Sequence, residues 1–357
     1  MIHRQAGVVR QVLLSQEQLQ ELLVEVNGRL ERAYNYPQLA GPVREGQEVL
    51  LNTNAVELGL GTGGRHFVLP ASPGGSLPEG HIMKLRYTPL QFNCLSVEEE
   101  ASPYHKQLQK FESLEAMPVA VGTLHSLLPA MAAGLRFTPG GRRRKLKIAY
   151  LMLDGAALPL AFSRLLPQLR AAGLVDFTIT CGQAFGGDYE AVNLYSGLGA
   201  AKVLGADAAL VTMGPGIVGT GTIWGTTAVQ QGEAINAVGI LGGRAVAVPR
   251  ISFSDPRPRH RGLSHHTLTA LGKVALRPAT VALPKLDAAE TAYLRSQLLQ
   301  ANLEAKHRFE SVDAGYALPL LAELGIHLST MGRGVETERP FFLAGAAGGA
   351  MAASLLA

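Results

Sequence analysis

From Met117 onward, short apolar runs alternate with stretches of helical periodicity, and this alternation constrains the fold more than any other feature of the chain. The runs are Val119–Leu124, Ile148–Leu153, Phe177–Cys181, Ala208–Met213, Ala245–Val248, Thr280–Leu283 and Phe309–Val312. Helical patterns lie between them, among them AVNLYSGLGAAKVLG (Ala191–Gly205), AVQQGEAINAVGILGG and ETAYLRSQLLQANLEA. Apolar strands separated by roughly 10–15 helical residues specify a parallel sheet covered on both faces. Right-handed crossovers then make it a doubly wound, mostly parallel, Rossmann-like α/β sheet. Gly173, Gly205 and Gly242 stand where helices should end, and Pro167 kinks or shortens the helix that contains it.

Up to about Leu114 the pattern has the shorter period of β structure. Alternating runs occur at Gly7–Leu14, Leu22–Val26, Glu48–Leu51, His66–Leu69 and Met83–Tyr87, separated by turn residues. GPVREGQEVLLN (Gly41–Asn52) reads as a strand, tight turn and strand of a small barrel. In LGLGTGG (Leu58–Gly64) no helical pattern follows the glycines, so they read as a turn or bulge rather than a phosphate loop. The expected organisation is a small β-rich, barrel-like domain over residues 1–115 and the α/β domain over 116–357. The polar segment Glu98–Ala116 serves as linker and surface helix.

Composition excludes several classes. Of 357 residues, 47% are hydrophobic and 17% charged, which describes a folded chain with a substantial core rather than a disordered one. A net charge of +4, spread along most of the chain, admits acidic ligands without indicating nucleic acid. Two cysteines make no disulfide framework, and no apolar segment follows His3 and Arg4, so a cytoplasmic protein is expected. The uncharged C-terminus, FFLAGAAGGAMAASLLA, is built mostly of alanine and glycine and reads as a buried terminal helix, not a membrane span. Gly345 and Gly349 would let a second helix approach closely, within the chain or across a homodimer.

In open α/β sheets, ligands bind beyond the carboxyl ends of the strands. His125 follows the first run and Asp154 the second, and the third leads into GQAFGGDYE with Asp188. The fourth leads into MGPGIVGTGTIWGTT and the fifth into SDPRPRHRGLSHHT. Polar, glycine-rich and ionisable residues thus collect on one edge. Gly214, Gly216 and Gly219 match G-x-G-x-x-G, but Gly221 and Gly225 delay the helix and no acid stands at the right distance, so NAD is not expected. With Thr220, Gly221 and Thr222 the loop instead reads as an anion cradle, or else as a turn for tight packing.

Ser264 is placed to cap a helix with His265 and His266 in its first turn, where the helix dipole favours the neutral imidazole of a general acid/base. Adjacent helical residues diverge by about 100°, so one of the two should face the ligand; both could equally be packing residues. Asp154 or Asp188 would partner the base or, with His260 and a tandem histidine, hold a divalent metal, although the spacing matches no zinc motif. Arg250, Arg257, Arg259 and Arg261 alternate around Asp255, Pro256 and Pro258; Arg257 and Arg259 or Arg261 should neutralise an anion, with Asp255 also at the ligand, while the others pair on the surface.

LDGAALPLAFS, GQAFGGDYEAVNLYSGL, GADAALVTMGPGIVGTGT and PRISFSDPRPRHRGLSHHTLTALG, with LNTNAVELGLGTGGRHFV, resemble a bacterial family known as domain of unknown function 3866. The resemblance spans nearly the whole chain and implies no particular chemistry. The residues themselves point to an enzyme, a hydrolase or transferase, acting on a phosphorylated or otherwise anionic metabolite such as a nucleotide or sugar phosphate. The alternative is a non-catalytic nucleotide- or metabolite-binding regulatory module.

Overall fold

The computed structural model describes residues 3–57, 59, 64–70, 79–88 and 90–356. The chain divides into two compact units, Met1–Leu95 and Ser96–Ala357. In the first, β1 (Arg4–Ser15), β2 (Gln20–Val26), β3 (Arg29–Asn35), β4 (Glu48–Asn52) and β5 (Arg65–Leu69) close a barrel in the order β1-β2-β3-β5-β4. Alternation along β2 sends Leu22, Val24 and Val26 inward to meet Val9, Ala33, Val49 and Leu51. β3, RLERAYN, does not alternate and was not legible as a strand; its inner contribution is Ala33 to Asn35. Of the strand pair expected over Gly41–Asn52, β4 forms and the first half does not, because the Val43 N–H donates to Gln20 Oε1 at 2.9 Å instead of to a ladder. Most of Leu58–Gly64 lies outside the described residues. A hairpin of β6 (Ile82–Lys84) and β7 (Phe92–Cys94) completes this unit.

The second unit is built on eight parallel strands: β8 (Pro118–Gly122), β9 (Ile148–Leu153), β10 (Phe177–Cys181), β11 (Tyr189–Ala191), β12 (Ala208–Met213), β13 (Arg244–Val248), β16 (Thr280–Pro284) and β17 (Arg308–Val312). Between β13 and β16 the chain forms a small antiparallel ribbon of β14 (Ile251–Ser252) and β15 (Gly262–Leu263). A second ribbon, β18 (Ser329–Thr330) with β19 (Arg333–Gly334), precedes the terminal helix. The sheet order is β11-β10-β9-β12-β8-β13-β16-β17. From β8 the chain steps out through β9, β10 and β11, returns to β12 between β8 and β9, and then crosses to β13. The connections after β9 and β12 therefore leave in opposite directions, which opens a crevice at their carboxyl ends.

The division between units falls near residue 95 rather than 115, because the intervening segment packs on the α/β core. The Val97 N–H donates to the Glu190 carbonyl at 2.8 Å and the Leu114 N–H to the Leu241 carbonyl at 2.7 Å. The helix Leu165–Ala171 is shorter than its apolar pattern, with Pro167 in its first turn.

The terminal helix Val335–Ser354 lies against the helix Leu128–Arg136 with almost no space between backbones. A side chain at Gly349 would collide with the Met131 carbonyl, and one at Gly345 would bring its Cβ 2.9 Å from Ala130 Cβ. The small-residue face is therefore filled from within the chain. Among the described residues, no helix is long and apolar enough to cross a membrane.

Candidate functional site

Beyond β13, the β14–β15 ribbon folds the Arg250–Thr267 segment back on itself. A helical turn at Pro258–His260 ends the outward limb, and Ser264 starts the helix His265–Thr269, which widens into a π-type turn over Ala270–Val274. Ser264 Oγ accepts from the His266 N–H at 3.3 Å and pairs with His260 Nδ1 at 2.8 Å. One hydroxyl thus caps the helix and ties the preceding turn to it.

The result is a cluster of three imidazoles. Ring centroids stand 4.9 Å apart for His260 and His265, 5.1 Å for His260 and His266, and 4.2 Å for His265 and His266. One of the tandem pair was expected to face the site. Both tandem rings lie against His260, because the ribbon brings His260 over the first helical turn. His260 and His266 are buried and His265 is half-buried. The His265 Nε2 and His266 Nδ1 atoms are buried without a hydrogen-bond partner.

Burial, then the charges of Arg250 and Arg257, push His260 down to about 3. Burial, then the neighbouring His265 and Arg250, push His266 down to about 4. His265 is lowered by burial and by Arg259. All three are neutral at pH 7, with desolvation and guanidinium charge as the causes.

Asp255, expected to touch the ligand, is the hub of the arginines. Its side chain is fully buried and accepts from Arg257 Nε at 2.9 Å, Arg257 Nη2 at 2.8 Å and Arg250 Nη2 at 3.1 Å. Arg333 stands 3.5 Å away and donates to Glu338 Oε1 at 2.6 Å. The Arg257 guanidinium, first among its neighbours, holds Asp255 far below the usual carboxylate range. Arg257, expected to bind an anion, is thus already engaged, and Arg261 lies over the rings of Phe253 and Tyr293. Arg259 is exposed and, among the described residues, makes no ion pair or hydrogen bond.

The glycine loop folds as a hairpin closed by its own threonines. Thr220 Oγ1 pairs with Thr222 Oγ1 at 2.9 Å and donates to the Gly225 carbonyl at 3.0 Å, so these hydroxyls serve the loop. The helical turn begins at Thr227, eight residues beyond Gly219. Gly219 is required by proximity, since a Cβ there would stand 3.0 Å from the His266 ring. At Gly221 a Cβ would stand 3.8 Å from Arg259 Cζ. Loop, arginine and histidines therefore form one neighbourhood.

The two other acids lie elsewhere. Asp154, just after β9, accepts from the Gln183 N–H at 3.0 Å and Gln230 Nε2 at 3.4 Å, fastening loops at the sheet edge. Asp188 accepts from the Thr178 N–H at 2.8 Å and from Arg170 at 2.6 Å, which puts it beside the start of β10. The short parallel β11 is the reason. To run beside β10 in the same direction, the chain must first return to the amino edge, and Asp188 returns with it.

A cavity of about 360 Å³ opens at the crevice, lined among others by His125, Ser126, Arg164, Gly214, Ile217 and Thr330. His125 is buried in its wall. Its Nε2 pairs with Ser163 Oγ at 2.6 Å and its Nδ1 with Tyr150 OH at 3.1 Å, and Tyr150 OH pairs with Thr212 Oγ1 at 3.0 Å. Burial pushes His125 down to about 4. The sequence marked His125 by its place after a strand, but Tyr150 inside a strand and Glu338 inside the terminal helix carried no signal.

A family model described as "Protein of unknown function (DUF3866)" matches residues 32–349, from within β3 of the barrel through the whole sheet and into the terminal helix. The chain belongs to this family. No curated protein and no solved structure matches it significantly.

Proposed function

We propose that this member of the family is an enzyme acting on a phosphorylated or otherwise anionic small metabolite, by hydrolysis or group transfer. The observation that carries the reading is Arg259. It is an exposed guanidinium without a partner among the described residues, beside the glycine hairpin and near enough to His265 and His266 for its charge to favour their neutral form. An unpaired cation in such a setting recognises phosphate or carboxylate oxygens. The adjoining cavity is large enough for a small organic group, and its wall at Gly214 and Ile217 continues into the loop that touches His266. Proton transfer belongs at the histidine cluster, where His265 is the most accessible ring. Asp255 and Glu338 orient the arginines, and Asp154 shapes the loops.

The test is calorimetry with inorganic pyrophosphate, nucleotides and sugar phosphates, paired with an assay for released phosphate. Arg259→Gln should weaken binding by at least about tenfold, the loss of one charge-assisted contact. His265→Gln should retain binding and abolish turnover. Binding without turnover across the series would make the protein a regulatory metabolite-binding module. Binding indifferent to Arg259→Gln would refute the reading.

A further inference from the structure

We propose that His260, His265 and His266 form a binding site for a zinc-class divalent cation. One ring nitrogen from each residue lies within 4.8 Å of the others. Three imidazoles on a tetrahedral zinc hold their nitrogens about 3.4 Å apart, at Zn–N distances near 2.0–2.1 Å. Rotations about χ1 and χ2 would have to close the difference on binding. Each ring also keeps a nitrogen without a partner: His265 Nε2 and His266 Nδ1 are buried and unpartnered, and the Ser264 bond to His260 Nδ1 leaves its Nε2 available.

A buried ring nitrogen with no partner is costly. Two of them on adjoining rings, whose centroids stand 4.2 Å apart, have an economical explanation if a cation completes the cluster. The Ser264 contact is the kind of bond that fixes a ligating imidazole's tautomer and orientation. Imidazole sets with an open position suit zinc and its neighbours, while calcium and magnesium prefer oxygen.

The arginines are the obvious objection. However, Asp255 is bonded to Arg250 and Arg257 and lies 3.5 Å from Arg333, which is also bonded to Glu338. Arg259 and Arg261 have no such partner among the described residues, and Arg261 lies over the rings of Phe253 and Tyr293. Three protein nitrogens leave a fourth position for water or an anionic oxygen, and Arg259 would favour the anion. The spacing matches no linear zinc motif because a ribbon, not one helix, assembles the set. This inference rests on the same cluster, replaces proton transfer by His265 with ligation, and goes beyond anion binding, which Arg259 supports with or without a cation.

The metal-stripped full-length chain should take up one Zn²⁺ with a Kd of about 1 µM or tighter by calorimetry. Co²⁺ should give the visible absorption of a four-coordinate ion. His265→Gln, at a half-buried position, should weaken Zn²⁺ binding at least about 100-fold with an unchanged far-UV spectrum. Ser264→Ala should weaken it about 10–100-fold through His260, and carries the test if His265→Gln does not fold. No saturable uptake, or uptake unchanged in the variants, would overturn the site. Pyrophosphate binding sensitive to Arg259→Gln would still stand, so the two readings fail separately.

Discussion

His125 is buried with both ring nitrogens bonded, and its ionisation is tied to folding. In the unfolded chain it titrates near 6.5, and in the folded protein burial pushes it down to about 4. A depressed histidine leaves the unfolded state holding more protons between those values. The stability it contributes is therefore fully present above pH 6.5 and is lost as pH falls toward 4. Between pH 7 and pH 5 that loss should be about 2 kcal/mol. His260 and His266 add to the trend in the same direction, so urea denaturation of the parent must be compared with His125→Asn. The variant should be less stable at pH 7 and should show a shallower pH dependence by about that amount. An unchanged slope would mean His125 keeps its ordinary affinity for protons. Single residues also show where pattern reading stops. Asp255 and Arg257 stood in the right loop, but whether a guanidinium pairs with a neighbour or waits for a ligand depends on partners such as Glu338, more than eighty residues away.

At the scale of elements, apolar runs translated well into strands: Ile148–Leu153, Phe177–Cys181 and Ala208–Met213 form with the expected bounds. These strands are buried on both faces, so periodicity is not needed and apolar length suffices. β11, three residues long, carries too little pattern to be read, and missing it put Asp188 on the wrong edge. The terminal helix bends at Glu338, where φ is −117° and ψ 33°, two residues before Pro340. The bend lets a buried carboxylate meet Ser252 Oγ at 3.0 Å. Farther along, glycine at 349 permits near-contact with the helix Leu128–Arg136. Gly349→Leu would push a side chain into backbone that cannot move aside and should cost about 3 kcal/mol or more. Sedimentation should show the association state unaltered, since the face is internal to the chain. A neutral effect in denaturation would mean the helices can separate at little cost.

Each of the two units has its own apolar core, the barrel's around Leu22, Val24 and Leu51 and the sheet's on both its faces. Ser96–Ala357, produced alone, should therefore unfold cooperatively on heating with a near-UV signal of fixed packing. A fragment that melts without a transition would show that its core is incomplete. The sequence by itself determined the class of this protein. Apolar runs alternating with helical patterns specify a parallel sheet covered on both faces, and crossovers have one hand. It also pointed to the carboxyl edge of the sheet as the place for a site, because polar loops follow the strands. Tertiary structure decided the rest: the barrel's β3, the return to β11, the engagement of Arg257 by Asp255, and the meeting of His260 with His265 and His266. Periodicity is a property of neighbours along the chain, whereas pairing, burial and the charge on an imidazole are set by whatever the fold brings into contact.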